Sequence, residues 1–175
     1  MSDKFKLLLK QIHFPQHEEA YNEIKSGSIE SVKLFKSKRQ WFFVFSFRNL
    51  LSYETFTLFD NLLHSSFDSL GAKVSYMINV EDISCDQSLL EAYFSYALDI
   101  LKSSHFSIYS LFSNLGIEIS NNSISVKAPA HILRENLHER FIALIADVLS
   151  NVGLSNVSIS VLEDKEASSS LEEAY

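Results

Sequence analysis

A single cysteine, Cys85, stands among 175 residues. That excludes an internal disulfide and leaves neither a CxxC redox pair nor a thiolate zinc site. Glycine and proline are equally sparse, with four and two copies. Neither a Walker A loop nor a GxSxG nucleophile elbow occurs. No apolar run approaches the ~20 residues that a membrane-spanning helix needs. The opening Met1-Ser2-Asp3-Lys4-Phe5-Lys6 lacks the ordered regions of a signal peptide, so the chain is read as cytoplasmic, without a membrane partner. Basic residues are also in deficit, with 15 Lys and Arg against 22 Asp and Glu, a formal charge of -7 and a pI near 5.3. A domain built to grip a phosphate backbone is usually basic, which makes duplex binding the weaker expectation.

What is abundant is apolar and aromatic side chain, 46% and 13% of the residues, far too much for disorder. A chain of this length can bury roughly 70% of its unfolded surface. It therefore suits one domain or two small subdomains. The strongest local pattern is residues 31–48, two apolar runs joined by Lys36-Ser37-Lys38-Arg39. Runs this rich in aromatic and β-branched residues, too short for helices, predict a β-hairpin.

Around the hairpin, spacings of three and four predict helices over Lys4–Ile12, over residues 17–25 and over Tyr53–Leu70, the last closed by Gly71. Val74, Tyr76, Ile78 and Val80 alternate with Lys73, Ser75, Met77 and Asn79 as a third strand. Glu81–Gln87 reads as a polar connector. The second half repeats the order. Helices are expected over Ser88–Leu101 and Phe106–Leu115, then strands over Ile117–Ser120 and Ser123–Lys127. Asn121-Asn122 is expected as their turn because asparagine tolerates positive φ. One long helix is predicted from Pro129 to Gly153 with the stripe Ile132, Leu137, Phe141, Leu144, Ile145, Val148 and Leu149. Val157, Ile159 and Val161 alternate as a last strand. Residues 164–175, acidic and serine-rich, read as the start of a linker. The fold class is therefore α+β, as two small α-β-β-α-β units. At one offset Leu70-Gly71 aligns with Val152-Gly153, a hint of internal duplication that the third strands, out of phase, weaken.

The acidic residues are scattered over helix starts, connectors and the tail rather than converging as a two-metal site requires. His13 and His17 are four apart, but Pro15 between them opposes the helix that would put both on one face. His131 and His138 lie two turns apart on the expected long helix, too far to share a metal without a third ligand. Cys85 beside Asp86 reads as an ordinary small residue. No catalytic residue, cofactor or metal is expected. Two surfaces remain. Lys33, Lys36, Lys38, Arg39 and Arg48, interleaved with Phe35 and Trp41, would suit single-stranded nucleic acid. Against that, Trp41, Phe43, Phe45 and Phe47 share one strand face as expected core. Phe42 and Val44 make the same strand apolar on its other face. Either a helix covers that face too, or Phe35, Phe42 and Val44 form a partner surface. Tyr93, Phe94, Tyr96, Phe106, Tyr109 and Phe112 form a second aromatic group, expected mostly in the core with the tyrosines nearer the surface.

From about Ile29 to its end the chain resembles the N-terminal region of PolC-type bacterial DNA polymerase III alpha subunits. The resemblance rests on the hairpin with Trp41 opening its second strand, on Leu89–Phe94 followed by Phe106–Phe112, and on the final helix, strand and acidic tail. It implies a small α+β module, its second unit partly similar to a type II KH fold, that precedes the catalytic domains of a polymerase carrying a proofreading exonuclease. Those domains have no room before Tyr175, so the chain reads as a fragment. The implied organisation is an N-terminal helical segment (1–27), a first α+β subdomain (28–83), a KH-like subdomain (84–163) and the linker start (164–175). A KH domain grips nucleotides with a GXXG loop, and Gly27, Gly71, Gly116 and Gly153 nowhere have that spacing. The resemblance therefore implies a noncatalytic module that docks replisome proteins, such as a helicase loader or a tau-type clamp-loader subunit. Single-stranded nucleic-acid binding by the basic hairpin is the alternative.

Overall fold

The computed structural model describes residues 3–165, and among these it holds seven helices and two three-stranded sheets. The order is α1 (Asp3–Gln11), α2 (Glu19–Ile24), β1 (Ser28–Phe35), β2 (Gln40–Asn49), α3 (Tyr53–Ser69), β3 (Lys73–Asp82), α4 (Gln87–Ser104), α5 (Phe106–Phe112), β4 (Gly116–Ser120), β5 (Ser123–Ala128), α6 (Ala130–Arg134), α7 (Leu137–Asn151) and β6 (Ser158–Glu163). The fold is α+β. Two compact units divide it, one running to Ser84 and including Ser150–Leu154, the other comprising Cys85–Leu149 and the residues from Ser155.

In the first unit β1 pairs antiparallel with β2, and β2 parallel with β3, α3 making the crossover. Period-two alternation sends Phe43, Phe45 and Phe47 of β2 and Val74 and Ile78 of β3 to one face, where all are buried. Phe5, Leu8 and Leu9 of α1 and Phe56, Phe59, Leu63 and Phe67 of α3 are buried with them. The rings interlock, Phe45 lying 5.2 Å from Phe59 edge-on and 5.3 Å from Phe43 in a stack. Both covering helices end on a left-handed residue. His13 (φ 58) follows α1, with Phe14 N–H donating to Leu9 O; Gly71 (φ 68) follows α3, with Ala72 N–H donating to Phe67 O. So Gly71 is where the pattern put it, and α1 stops through the left-handed turn at His13, two residues ahead of Pro15.

The start of α3 is held from a distance. Ser52 is its N-cap and accepts from Thr55 N at 3.3 Å, while the Glu23 carboxylate of α2 accepts from the Ser52 amide, from Ser52 Oγ at 2.9 Å and from Thr55 Oγ1 at 2.6 Å. Free helix N-terminal amides attract such oxygens. Ser52→Ala is expected to cost about 1 kcal/mol, read as a lower urea midpoint at unchanged slope. No change in midpoint would show that Glu23 and Thr55 cap the helix without it.

The second unit repeats the pairing: β4–β5 antiparallel, β5–β6 parallel, with α6 and α7 between. Ile124, Val126 and Ala128 face inward with Leu90, Tyr93 and Phe94 of α4, Phe112 of α5 and Phe141, Ile145 and Leu149 of α7. Phe112 and Phe141 stack at 4.4 Å. Asp86 caps α4, its carboxylate accepting from Leu89 N at 2.8 Å.

Five expectations need correction. The helix predicted to run from Pro129 is two helices: α6 stops at Arg134, and Asn136 takes φ 56 before α7 begins. Pro129 sits at the N-cap of α6 rather than inside its first turn. Asn121 and Asn122 do form the β4–β5 turn, but neither has positive φ, so the turn is not one of the primed types. In the aromatic group Tyr93 is fully buried while Phe106 is 62% exposed, the reverse of the order that polarity suggests. β3 also continues through Asp82, leaving a shorter connector. The acidic tail beyond Lys165 lies outside the described residues.

Candidate functional site

The first sheet has a second face. By register, Ser31, Lys33 and Phe35 of β1 oppose Val44, Phe42 and Gln40 of β2, and Lys73, Ser75 and Met77 of β3 stand beside Gln40, Phe42 and Val44. Residues paired this way share a face, the one away from Phe43, Phe45 and Phe47. On it Phe35 is 47% exposed, and Phe42, Val44, Ser75 and Met77 are partly exposed. Gln40 Nε2 donates to Ser75 Oγ at 3.4 Å across the strands. Phe35, Phe42 and Val44 thus lie together, and Met77 joins them.

The corresponding face of the second sheet is different in kind. Ser120 pairs with Ser123, Ser125 lies 3.2 Å from Ser160, and Lys127 sits 3.8 Å from Glu118. Hydroxyls and a solvated ion pair need no cover. Leu162 of β6, beside Lys127 by register and 53% exposed, is its single large apolar side chain among the described residues; the contiguous apolar outward face belongs to the first sheet.

The five cations singled out from the sequence do not form one cluster. Lys33 is on the open face, and Lys36 and Lys38 occupy the short 3-10 turn between β1 and β2. Arg39 takes a left-handed conformation (φ 48), its guanidinium 3.9 Å from where a Cβ on Gly71 would stand, at the end of α3. Arg48 shares the open face but lies eight residues along β2 from Gln40, about 26 Å at a strand's rise. Lys73 begins β3 and donates its amide to Arg39 O at 2.9 Å, bringing a cation to the turn that sequence reading left aside. The signal for Lys73 and Met77 was present, since they alternate with Val74, Tyr76 and Ile78; only the strand register sets them beside Phe42. Lys33, Lys36, Lys38 and Arg39 make no ion pair among the described residues.

Elsewhere the polar groups support structure. His64 Nδ1 lies 2.9 Å from Asp60 O and 3.3 Å from its carboxylate, which also accepts from Tyr76 OH. The hydrogen bond to the Asp60 side chain outweighs burial and raises the His64 pKa to about 9. Charged at neutral pH, this imidazole has no lone pair to serve as a general base. Burial first, then Asp86, raises the Cys85 thiol, which keeps it from being a ready nucleophile. His13 lies in the turn after α1, and Asn136 separates His131 on α6 from His138 on α7. Among the described residues no group of three His, Cys, Asp or Glu is placed to hold a metal, and no helix is long and apolar enough to cross a membrane.

Two sequence families match the chain: residues 4–78 fit "DNA polymerase III polC-type N-terminus I" and residues 92–175 fit "DNA polymerase III polC-type N-terminus II". The chain belongs to the PolC-type DNA polymerase III N-terminal family. Curated relatives agree. "DNA polymerase III PolC-type" of Streptococcus suis (strain 98HAH33) is 27% identical over 92% of this chain and 11% of its own length. Its counterpart from Streptococcus agalactiae serotype III (strain NEM316) is 25% identical over 100% of this chain and 12% of its own. The chain thus spans about a ninth of the PolC-type relatives it matches. A solved structure from a study of CdsD, a structural protein of the type III secretion system of Chlamydia trachomatis, aligns over 99% of this chain and 70% of its own at 12% identity. Its TM-score of 0.28 is too low to carry an argument.

Proposed function

We propose that this chain is a noncatalytic N-terminal module of a replicative DNA polymerase and that it docks a replisome protein on the open face of its first sheet. Family membership supports the setting. The observation that carries the docking is the contrast between two like-paired sheets: one turns serines outward, the other Phe35, Phe42, Val44 and Met77. A row of apolar side chains flanked by cations and hydroxyls has the make-up of an interface core with a polar rim. A helicase loader or a tau-type clamp-loader subunit are the partners to try first. Nucleotide addition to a primed template, and proofreading, would belong to the rest of such a polymerase.

Immobilised chain and its Phe42→Ser variant, presented with a lysate of a streptococcus carrying a PolC relative, test this. A replication protein identified by mass spectrometry should be retained by the first, and its affinity should fall about tenfold or more for the second. The variant should keep its circular dichroism, since Phe42 is only partly buried. Equal retention by both would sink the face as the docking site. The basic turn favours a second reading, single-stranded nucleic-acid binding. It would be supported by tight binding of labelled single-stranded DNA at physiological salt that weakens steeply with added salt and is lost on reversing Lys36 and Lys38.

A further inference from the structure

β1 is an edge strand, first in the order β1-β2-β3, with one side of its backbone unpaired. Its two halves differ. At Ile29–Ser31 the register with β2 shifts by a bulge, a device that blunts an edge against pairing. Beyond the bulge, Ser31–Phe35 pairs regularly with Val44, Phe43, Phe42, Trp41 and Gln40. Val32 and Leu34 on the helix-covered face are 42% and 43% exposed, and Phe35 on the open face 47%. Among the described residues, Leu162 of β6 is the only other exposed large apolar side chain on a strand. This short stretch therefore offers an unpaired backbone ladder with apolar side chains on both faces.

Its charge selects the occupant. Residues 31–40 contain Lys33, Lys36, Lys38 and Arg39 and no acid, in a chain of net charge -7. None of the four makes an ion pair among the described residues, and Lys73 lies next to the same turn. A second copy is a poor fit, because antiparallel self-pairing across the whole of Ser31–Phe35 sets Lys33 against Lys33, and like charges directly opposite destabilise a ladder.

We infer that the free edge of β1, Ser31–Phe35, takes up an extended acidic segment of a protein partner as a fourth strand of the first sheet. Main-chain hydrogen bonds supply the attraction and alternate side chains the selection. On the covered face the added strand meets Val32 and Leu34 and needs apolar residues. On the open face it meets Lys33 and needs a carboxylate, with further acids toward Lys36 and Lys38. The partner segment is thus an alternation of apolar and acidic residues. The inference rests on the docking reading only in placing a partner at this sheet.

The test uses the whole chain and a fluorescein-labelled short peptide alternating glutamate and valine, at physiological salt. Comparison peptides carry lysine for glutamate, or N-methyl groups on every second amide in either phase, which removes the donors from one edge at a time. The glutamate peptide should bind saturably and slow amide exchange in Ser31–Phe35, and the lysine peptide should not bind. One N-methyl phase should weaken binding at least about tenfold more than the other, and Lys33→Glu should weaken it comparably. No saturable binding, equal loss in both N-methyl phases, or exchange protection elsewhere would overturn the inference. So would displacement of the peptide by single-stranded DNA with the same dependence on Lys33, which would assign the edge to nucleic acid. Loss of the edge with retention on the Phe42 face intact removes this inference alone, and the converse removes face docking alone.

Discussion

Phe45→Ala should lower the unfolding free energy by about 3–5 kcal/mol, the largest effect expected of any single substitution here. Phe45 is fully buried at the middle of the central strand of the first sheet. Its ring meets Phe43 at 5.3 Å, Phe59 at 5.2 Å, Tyr76 at 5.8 Å and Phe5 at 5.9 Å. Truncation removes the transfer energy of the ring and leaves a cavity walled by other rings. Planar, closely interlocked neighbours have few rotamers with which to close it, so the cavity cost is kept in full. Urea unfolding would show a lower midpoint. Phe42→Ala, one residue away but on the open face, should cost far less, because its ring already keeps part of its contact with water. Similar losses at both positions would contradict the assignment of faces on which the docking proposal stands.

Gly27→Ala should destabilise by about 1–3 kcal/mol. The expected sign is the outcome of two opposed effects. At a glycine outside the left-handed region, alanine ordinarily stabilises by about 0.4–1 kcal/mol by restricting the unfolded chain, and Gly27 has no positive φ. The added Cβ, however, would stand 2.4 Å from Phe47 Cε1, 2.7 Å from Phe47 Cδ1 and 3.0 Å from Phe5 Cε1. Those are ring atoms of side chains 2% and 0% exposed, not the loose ends of flexible groups. Phe5 and Phe47 also hold each other edge-on at 5.7 Å, so neither ring yields without disturbing the other. Overpacking therefore outweighs the entropic gain. Thermal or urea unfolding decides it, and a stabilised variant would mean that the two rings can move apart at little cost.

The strands and most helices were legible because their signals are local. Alternation along β2 and β3 and the three-and-four spacing of Phe56, Phe59, Leu63 and Phe67 each follow from one buried face, which the sequence must encode residue by residue. The break at Asn136 was easy to read through because the apolar stripe resumes beyond it, although the step from Ile132 to Leu137 is five residues where a continuous helix calls for three or four. Ile132 and Phe141 are both buried, on different helices, and a second sign was the asparagine, a residue that enters the left-handed region more readily than most. The Asn121-Asn122 turn shows the converse, with the same residue type present and the conformation not used. The open sheet face was only half readable. Period two separated Phe42 and Val44 from Phe43 and Phe45. Whether a helix lay over them depended on the side to which α1 and α3 both pack, a long-range choice that no local spacing carries. Phe106 and Tyr93 exchanged their expected places because helix phase, not side-chain polarity, decides which residue faces inward.

The carboxylate of Glu23 and the start of α3 are separated in sequence by the entire β1–β2 hairpin. A cap supplied by a neighbouring residue would favour the helix in the unfolded chain as much as in the folded one; this one cannot, since it exists only after the hairpin has brought the two ends together. Closing a loop of that size costs entropy before any contact repays it. The first turn of α3 thus has two supports of different range, the local Ser52 cap and the Glu23 carboxylate, and the second is added only when β1 and β2 have met.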